Sequence, residues 1–352
     1  MKKMLALLLA LVMVLSLAAC ASSQPATTDA AASTETAETT ETTETTEPAA
    51  EESAEAPAES GKTYTVGVCQ LVQHEALDAA TQGFIDALKE ELGDAVTVDA
   101  QNASGDSVNC GTIVNGFVSE GVDLIMANAT PALTAAVSAT ADIPILGTSI
   151  TAYGVALDID DFNGTVGGNV SGTSDLADLQ AQAQMILDWF PETKTVGLLF
   201  CSAEPNSRYQ IDEVRKALEA QGVTCEEFAF TDSNDVSSVT QKAADFSDVV
   251  YIPTDNTAAS NTEAIANVLI PAGVPAICGE EGLCRGCGVA TLSISYYDLG
   301  VTTGKMAAKI LKGEADISTM PVEYTDATPK YNASVCEQLG ITPLDGYEAI
   351  EG

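Results

Sequence analysis

One strand–helix pattern occurs twice in this chain, roughly 130 residues apart. The first copy opens with YTVGVC at residues 64–69, the second with KTVGLLFC at 194–201. Each continues through a polar loop and a helix-like segment closed by glycine. β-branched runs follow, AVTVDAQ (95–101) and VDLIMAN (122–128) in one copy, VTCEEFAF (223–230) and DVVYIPT (248–254) in the other. The copies end alike, IPILGT at 143–148 and VPAICGE at 274–280, and VATLSIS at 289–295 closes the series. Short Val- and Ile-rich runs alternating with helix-length segments build βαβ units, and βαβ units build parallel sheets. The repeat therefore predicts an α/β fold of two parallel-sheet lobes. The glycine-rich NGTVGGNVSGTSD (163–175) marks the junction, giving a first lobe over 62–165 and a second over 166–288. The residues at about 289–315 return to the first lobe and those at about 316–345 to the second.

The preceding 61 residues lie outside this pattern. Lys2 and Lys3, an apolar run from Met4 to Leu17 and small residues before Cys20 describe an export signal too short to be a comfortable membrane span. Leu17-Ala18-Ala19-Cys20 also resembles a bacterial lipobox, which implies cleavage before Cys20 and a lipid on its sulfur. Residues 21–61 hold no aromatic, Leu, Ile or Val, and ten acids. Such a segment has nothing to bury and reads as a disordered acidic tether, averaging about 35 Å end to end. Without those ten acids, Lys2 and Lys3, the 51 acids and 14 bases of the chain leave the body near −29. A body this acidic, with no basic stripe, repels phosphate backbones and excludes nucleic acid as a partner.

In open parallel α/β sheets ligands bind beyond the carboxyl ends of the strands. Two such lobes facing each other bring both sets of strand-to-helix loops into one cleft. Those loops include QLVQH (70–74), NASGD (102–106), NATPA (128–132), TSIT (148–151), SAEPNSR (202–208), TDSND (231–235), PTDNT (253–257) and GEEG (279–282). They offer hydroxyls, amides and free N–H groups at helix starts, which suit carboxylates and other anions. Candidate ligand contacts are Gln70 and His74, the sole histidine, with Ala129, Thr130 and Thr148. Ser171, Gly172, Thr173, Asn206, Ser207 and Asn256 join them. Asp255 either accepts an ammonium group or caps a helix. Tyr153 and Tyr296 supply aromatic surface or pack between the lobes.

The pieces VGVCQLVQHEALDAATQGF, ANATPA, IPILGTS, NVSGTSD, TVGLLFCSAEPNSRYQ, YIPTDNTAASN and GVATLSISYYDLGVTTGKMAAKILKG span most of residues 64–345. Together they resemble the substrate-binding lipoproteins of ABC transporters, in the branch associated with tryptophan and tyrosine uptake. That resemblance implies the type I periplasmic-binding-protein fold, two flavodoxin-like lobes with a hinge and a central ligand cleft. It further implies an aromatic amino acid as ligand, an ABC permease as partner and an extracytoplasmic position anchored through lipidated Cys20. Ala152-Tyr153 stands where relatives tend to carry Asp-Pro. The eight body cysteines are a further departure, and both free thiols and disulfides fit their spacing.

No catalytic constellation competes with this reading. Cys284 and Cys287 form a CxxC with Cys278 upstream, but no second CxxC exists and the one histidine lies in the other lobe, which argues against a metal site. GxSxG, Walker and HExxH patterns are absent. The expectation is a binding protein, not an enzyme, without cofactor. The alternatives are a sensor serving a membrane kinase or chemoreceptor, and a receptor for another small solute.

Overall fold

The computed structural model describes residues 61–351; the export signal, Cys20 and the linker up to Ser60 lie outside the described residues. Thirteen strands appear among them: β1 (Tyr64–Gln70), β2 (Val96–Asn102), β3 (Leu124–Asn128), β4 (Ile145–Ile150), β5 (Val170–Ser174), β6 (Thr195–Cys201), β7 (Thr224–Phe230), β8 (Val249–Ile252), β9 (Ala276–Cys278), β10 (Ala290–Ser293), β11 (Glu323–Tyr324), β12 (Thr328–Tyr331) and β13 (Glu348–Ala349). The helices are α1 (Glu75–Leu92), α2 (Ser107–Glu120), α3 (Thr130–Ala139), α4 (Tyr153–Ala156), α5 (Leu179–Trp189), α6 (Pro205–Ala220), α7 (Val236–Phe246), α8 (Asn256–Ala259), α9 (Thr262–Ala272), α10 (Glu281–Cys287), α11 (Tyr296–Leu311) and α12 (Ala333–Leu339).

Two sheets result, ordered β11-β5-β4-β3-β1-β2 and β13-β12-β10-β9-β8-β6-β7. All strand pairs are parallel except β10 with β12. The apolar runs are continuous because helices cover both faces of each sheet. In the first sheet Val66, Val68, Leu124 and Met126 pack under α1 and α11, whereas Cys69, Ile125 and Ala127 pack under α2 and α3. In the second, Val196, Leu198 and Tyr251 meet α5 and α6, and Leu199, Val250 and Ile252 meet α7 and α9.

The lobe boundaries differ from those read in the sequence. β5, expected in the second lobe, pairs with β4 in the first sheet, Ile145 opposite Val170. The glycines around it permit a close approach rather than mark a linker: a Cβ on Gly172 would stand 2.0 Å from the Gly147 carbonyl oxygen. β10, expected to return to the first lobe, pairs with β9 and β12 in the second sheet. The chain thus passes between the lobes after β5, after β10 and between β11 and β12. After the second passage α11 lies against α1, where Gly300 leaves no room for a side chain because its Cβ would meet the Ala80 carbonyl oxygen at 2.0 Å.

The eight body cysteines are free, and all but Cys225 are buried. Among the described residues no cluster of three metal-ligating side chains forms, and no helix is long and apolar enough to cross a membrane.

Candidate functional site

The carboxyl ends of both sheets face one another, and three helices of the second lobe start there on acids. Glu204 precedes α6, Asp255 precedes α8 and Glu280 precedes α10. Asp255 and Glu280 cap their helices: Asp255 accepts from Ala258 N at 2.8 Å, and Glu280 accepts from Gly282 N at 2.6 Å and from Leu283 N. The second oxygen of Asp255 accepts from Cys201 N at 2.6 Å and from Ser207 Oγ at 2.8 Å. Glu204 spans the start of α8. It accepts from Asn256 N, Asn256 Nδ2, Thr257 N and Thr257 Oγ1 at 2.7–3.0 Å.

These groups border a cavity between the lobes. The first lobe lines it with His74, Ser149, Thr151 and Asp175, the second with Asn206, Thr254, Asp255, Asn256 and Glu280, and Tyr296 of α11 completes it. Its volume is about 10 Å³, room for about one water. No Lys or Arg lines it. Three buried polar atoms in its wall have no partner: Ser149 Oγ, Asp175 Oδ1 and Asn206 Oδ1. The Asn206 amide is oriented by its nitrogen, which donates to Glu204 Oε2 at 3.2 Å and to the Thr254 carbonyl at 3.1 Å. Its oxygen is therefore the end left free.

Burial governs the charge state of this cavity. It pushes Asp255 up to about 8, with Glu204 nearby adding to the shift and the donated hydrogen bonds opposing it. It pushes Glu280 up to about 7 against the α10 N–H groups. Asp175 is raised by burial too, partly offset by the Tyr296 hydroxyl that donates to it at 2.8 Å. His74 is held below its ordinary value by burial and stays neutral. Its Nε2 lies 3.2 Å from Asn256 Oδ1. Because Asn256 Nδ2 donates to Glu204, the oxygen faces His74, so Nε2 carries the proton and donates. That bond joins the lobes, as does the ion pair of Glu75 with Arg285 at 3.1 Å.

Five of the sequence candidates meet in the cavity wall: His74, Asn206, Asp255, Asn256 and Tyr296. Ser207 stands behind Asp255. The others are engaged elsewhere. Gln70 donates to Val72 O and Asp78 Oδ1 and accepts from Thr81 Oγ1, tying its loop to α1. Thr148, Thr173 and Thr303 form a buried hydroxyl chain with 3.1 and 2.9 Å steps. Ser171 donates to Met320 O and Pro321 O, and Gly172 lies against Gly147. The Tyr153 hydroxyl donates within its own lobe, to Gly147 O and Thr173 O. Ala129 and Thr130 are buried at the start of α3, outside the cavity wall. Ser149, Thr151, Asp175, Thr254 and Glu280 were missed, as was Glu204 behind them. All but Asp175 sit in loops whose position the sequence indicated, and Asp175 ends the glycine-rich stretch.

Comparison with known proteins agrees with this architecture. Residues 65–346 match the family model described as ABC transporter substrate binding protein. A tyrosine-binding protein of Clostridioides difficile is 33% identical over 276 residues, 77% of this chain and 79% of that protein. A solved domain from Streptococcus pneumonia in complex with L-Trp is 32% identical, covers 82% of this chain and 100% of its own, and superposes with a TM-score of 0.78. A ligand-free, open substrate-binding protein with adhesive properties from Clostridium difficile, also 32% identical, covers 82% of this chain and 99% of its own but reaches only 0.63. The lobes here thus stand nearer the arrangement of the L-Trp complex than that of the open one. With two parallel sheets facing across a closed cavity, and with the family match running nearly the whole length of the described residues, the chain belongs to the ABC transporter substrate-binding protein family.

Proposed function

We propose that this protein is the extracytoplasmic receptor of an ABC importer, anchored through Cys20, which captures an aromatic amino acid between its lobes and passes it to a permease. The observation that carries this reading is the cavity wall: three carboxyl groups, unpartnered Asp175 Oδ1 and Asn206 Oδ1, and no basic side chain. Two free acceptors in a pocket lined by carboxyl groups match an ammonium group, and Ser149 Oγ is free to donate to the ligand carboxylate. The aromatic preference rests on the relatives, one solved with L-Trp and one described as tyrosine-binding.

A cavity of about 10 Å³ does not admit an amino acid. Uptake requires the lobes to part, breaking His74–Asn256 and Glu75–Arg285, and to close again around the ligand. Binding energy stabilises the closed form, and no bond of the ligand is broken. Thermal melts of the purified protein against amino acids, sugars and nucleosides test the reading. L-Trp or L-Tyr should raise the midpoint by several degrees; a shift by sugars or nucleosides alone would refute the amino-acid assignment. Radiolabelled fatty acid incorporated by the native chain but not by Cys20→Ala tests the anchor.

A further inference from the structure

A second concavity, of about 560 Å³, lies beside the hinge. Its floor is apolar and aromatic: Phe162 stacks on the buried Tyr153 ring beneath it with centroids 6.3 Å apart, and Leu176, Tyr209 and Tyr324 complete the wall. Four large apolar residues are exposed among the described residues, and two of them, Val155 (45%) and Tyr324 (58%), belong to this groove. Asp158, Asp160 and Asp161 stand at its rim, and no Lys or Arg lines it. Among the described residues no ion pair reaches any of the three. No basic side chain among the described residues therefore neutralises them by direct pairing. Thr151 is the one residue shared with the cleft cavity.

We propose that this groove is a second binding site, for a hydrophobic monocation: an ammonium group carrying an aromatic or short alkyl body. The volume falls in the range of small-ligand pockets, about 300–1,000 Å³. The rings of Phe162, Tyr209 and Tyr324 attract a cation through their faces and cover its apolar body, while the aspartates supply the charge that the pocket itself leaves unmatched. A ligand there touches the first lobe through Phe162, the second through Tyr209, and the passages between them at Leu176 and Tyr324. Its binding is consequently linked to the relative position of the lobes. The proposal is independent of which solute the cleft takes.

Calorimetry on the full chain with 4-phenylbutylammonium and with neutral 4-phenylbutanol tests it. The amine should bind saturably, about tenfold more tightly than the alcohol. Asp158→Asn, Asp160→Asn and Asp161→Asn combined should erase that difference, and Tyr324→Ala should weaken both probes. Glu263→Gln, on the exposed face of α9, should alter neither, and Asp175→Asn reports any amine taken up by the cleft instead. Melting curves identify any variant that fails to fold; single aspartate substitutions, each removing part of the preference, then replace the triple one. Equal binding of amine and alcohol, no saturable binding, or amine binding lost in Asp175→Asn and kept in the aspartate variants would each overturn the proposal.

Discussion

The two lobes repeat one fold and differ at the same places. In each, a helix follows the first, third and fourth strands, starting from a single residue beyond the carboxyl end of the sheet. In the first lobe those residues are His74, Ala129 and Ala152; in the second they are Glu204, Asp255 and Glu280. None of the first three makes a side-chain cap, while Asp255 and Glu280 cap their helices and Glu204 holds α8 from outside. The repeat conserves backbone architecture, and the capping position carries the chemistry. One lobe presents buried acid, and the other closes over it with neutral groups and a single aspartate, Asp175.

The strongest way to break this comparison is at Asp175, the one acid from the neutral side. Asp175→Asn should lower amino-acid affinity by about 30- to 160-fold, the ~2–3 kcal/mol of a hydrogen bond to a charged group. The deaminated analogue should lose little. Equal losses for both ligands in a titration would remove Asp175 from the ammonium contact.

A smaller effect follows from the acids of the second lobe. Their folded values, about 8 for Asp255 and about 7 for Glu280, lie above those of exposed carboxyls. Burial therefore favours the protonated forms, and an ammonium ligand favours the ionised ones. Affinity should rise by about tenfold between pH 5 and pH 8, with protons released on binding below pH 7. Calorimetry in buffers of different ionisation enthalpy measures that release, and a flat profile would assign the ligand charge elsewhere. The sign for the unliganded protein is opposite. A raised carboxyl contributes stability in acid, present below its unfolded value near 4 and lost as pH rises through 8, so the unliganded midpoint should fall over that window.

His74→Ala should weaken ligand binding about fivefold by removing one closing hydrogen bond, and should leave the unliganded melting temperature nearly unchanged. A large drop in that temperature would make His74 part of the first-lobe core instead. The mildest test is Ala129→Gly. Ala129 holds φ 89° and ψ 156°, a region suited to glycine. The substitution should stabilise the protein by about 1 kcal/mol, a rise of about 2 °C in thermal melts. No change would place the strain outside this residue.

The two-lobe α/β architecture and the loops that meet in the cleft were legible in the sequence because both depend on local order. A Val- and Ile-rich run between helix-length segments is a buried strand wherever it occurs, and a parallel sheet places its helix-starting loops at one end. Choosing among the residues of those loops was another matter. Glu204 and Glu280 look like two more acids in a chain with 51 of them. Only the path of each loop turned them inward, where helix N–H groups could hold them. Gln70, Thr148 and Ser171 carry suitable chemistry but were drawn into hydrogen bonds within or beneath their own sheet. Likewise the glycines at 163–175 suggested a linker, and close backbone packing made β5 of them. Asp175 and Tyr296 are 121 residues apart, and their 2.8 Å contact exists only because two separate passages between the lobes run side by side. The sequence by itself determined which segments become strands, which ends of them face the ligand, and the overall acidity. Tertiary structure decided which acids are buried, which atoms remain unpartnered and how nearly the cleft is closed, since all three depend on contacts between residues far apart in the chain.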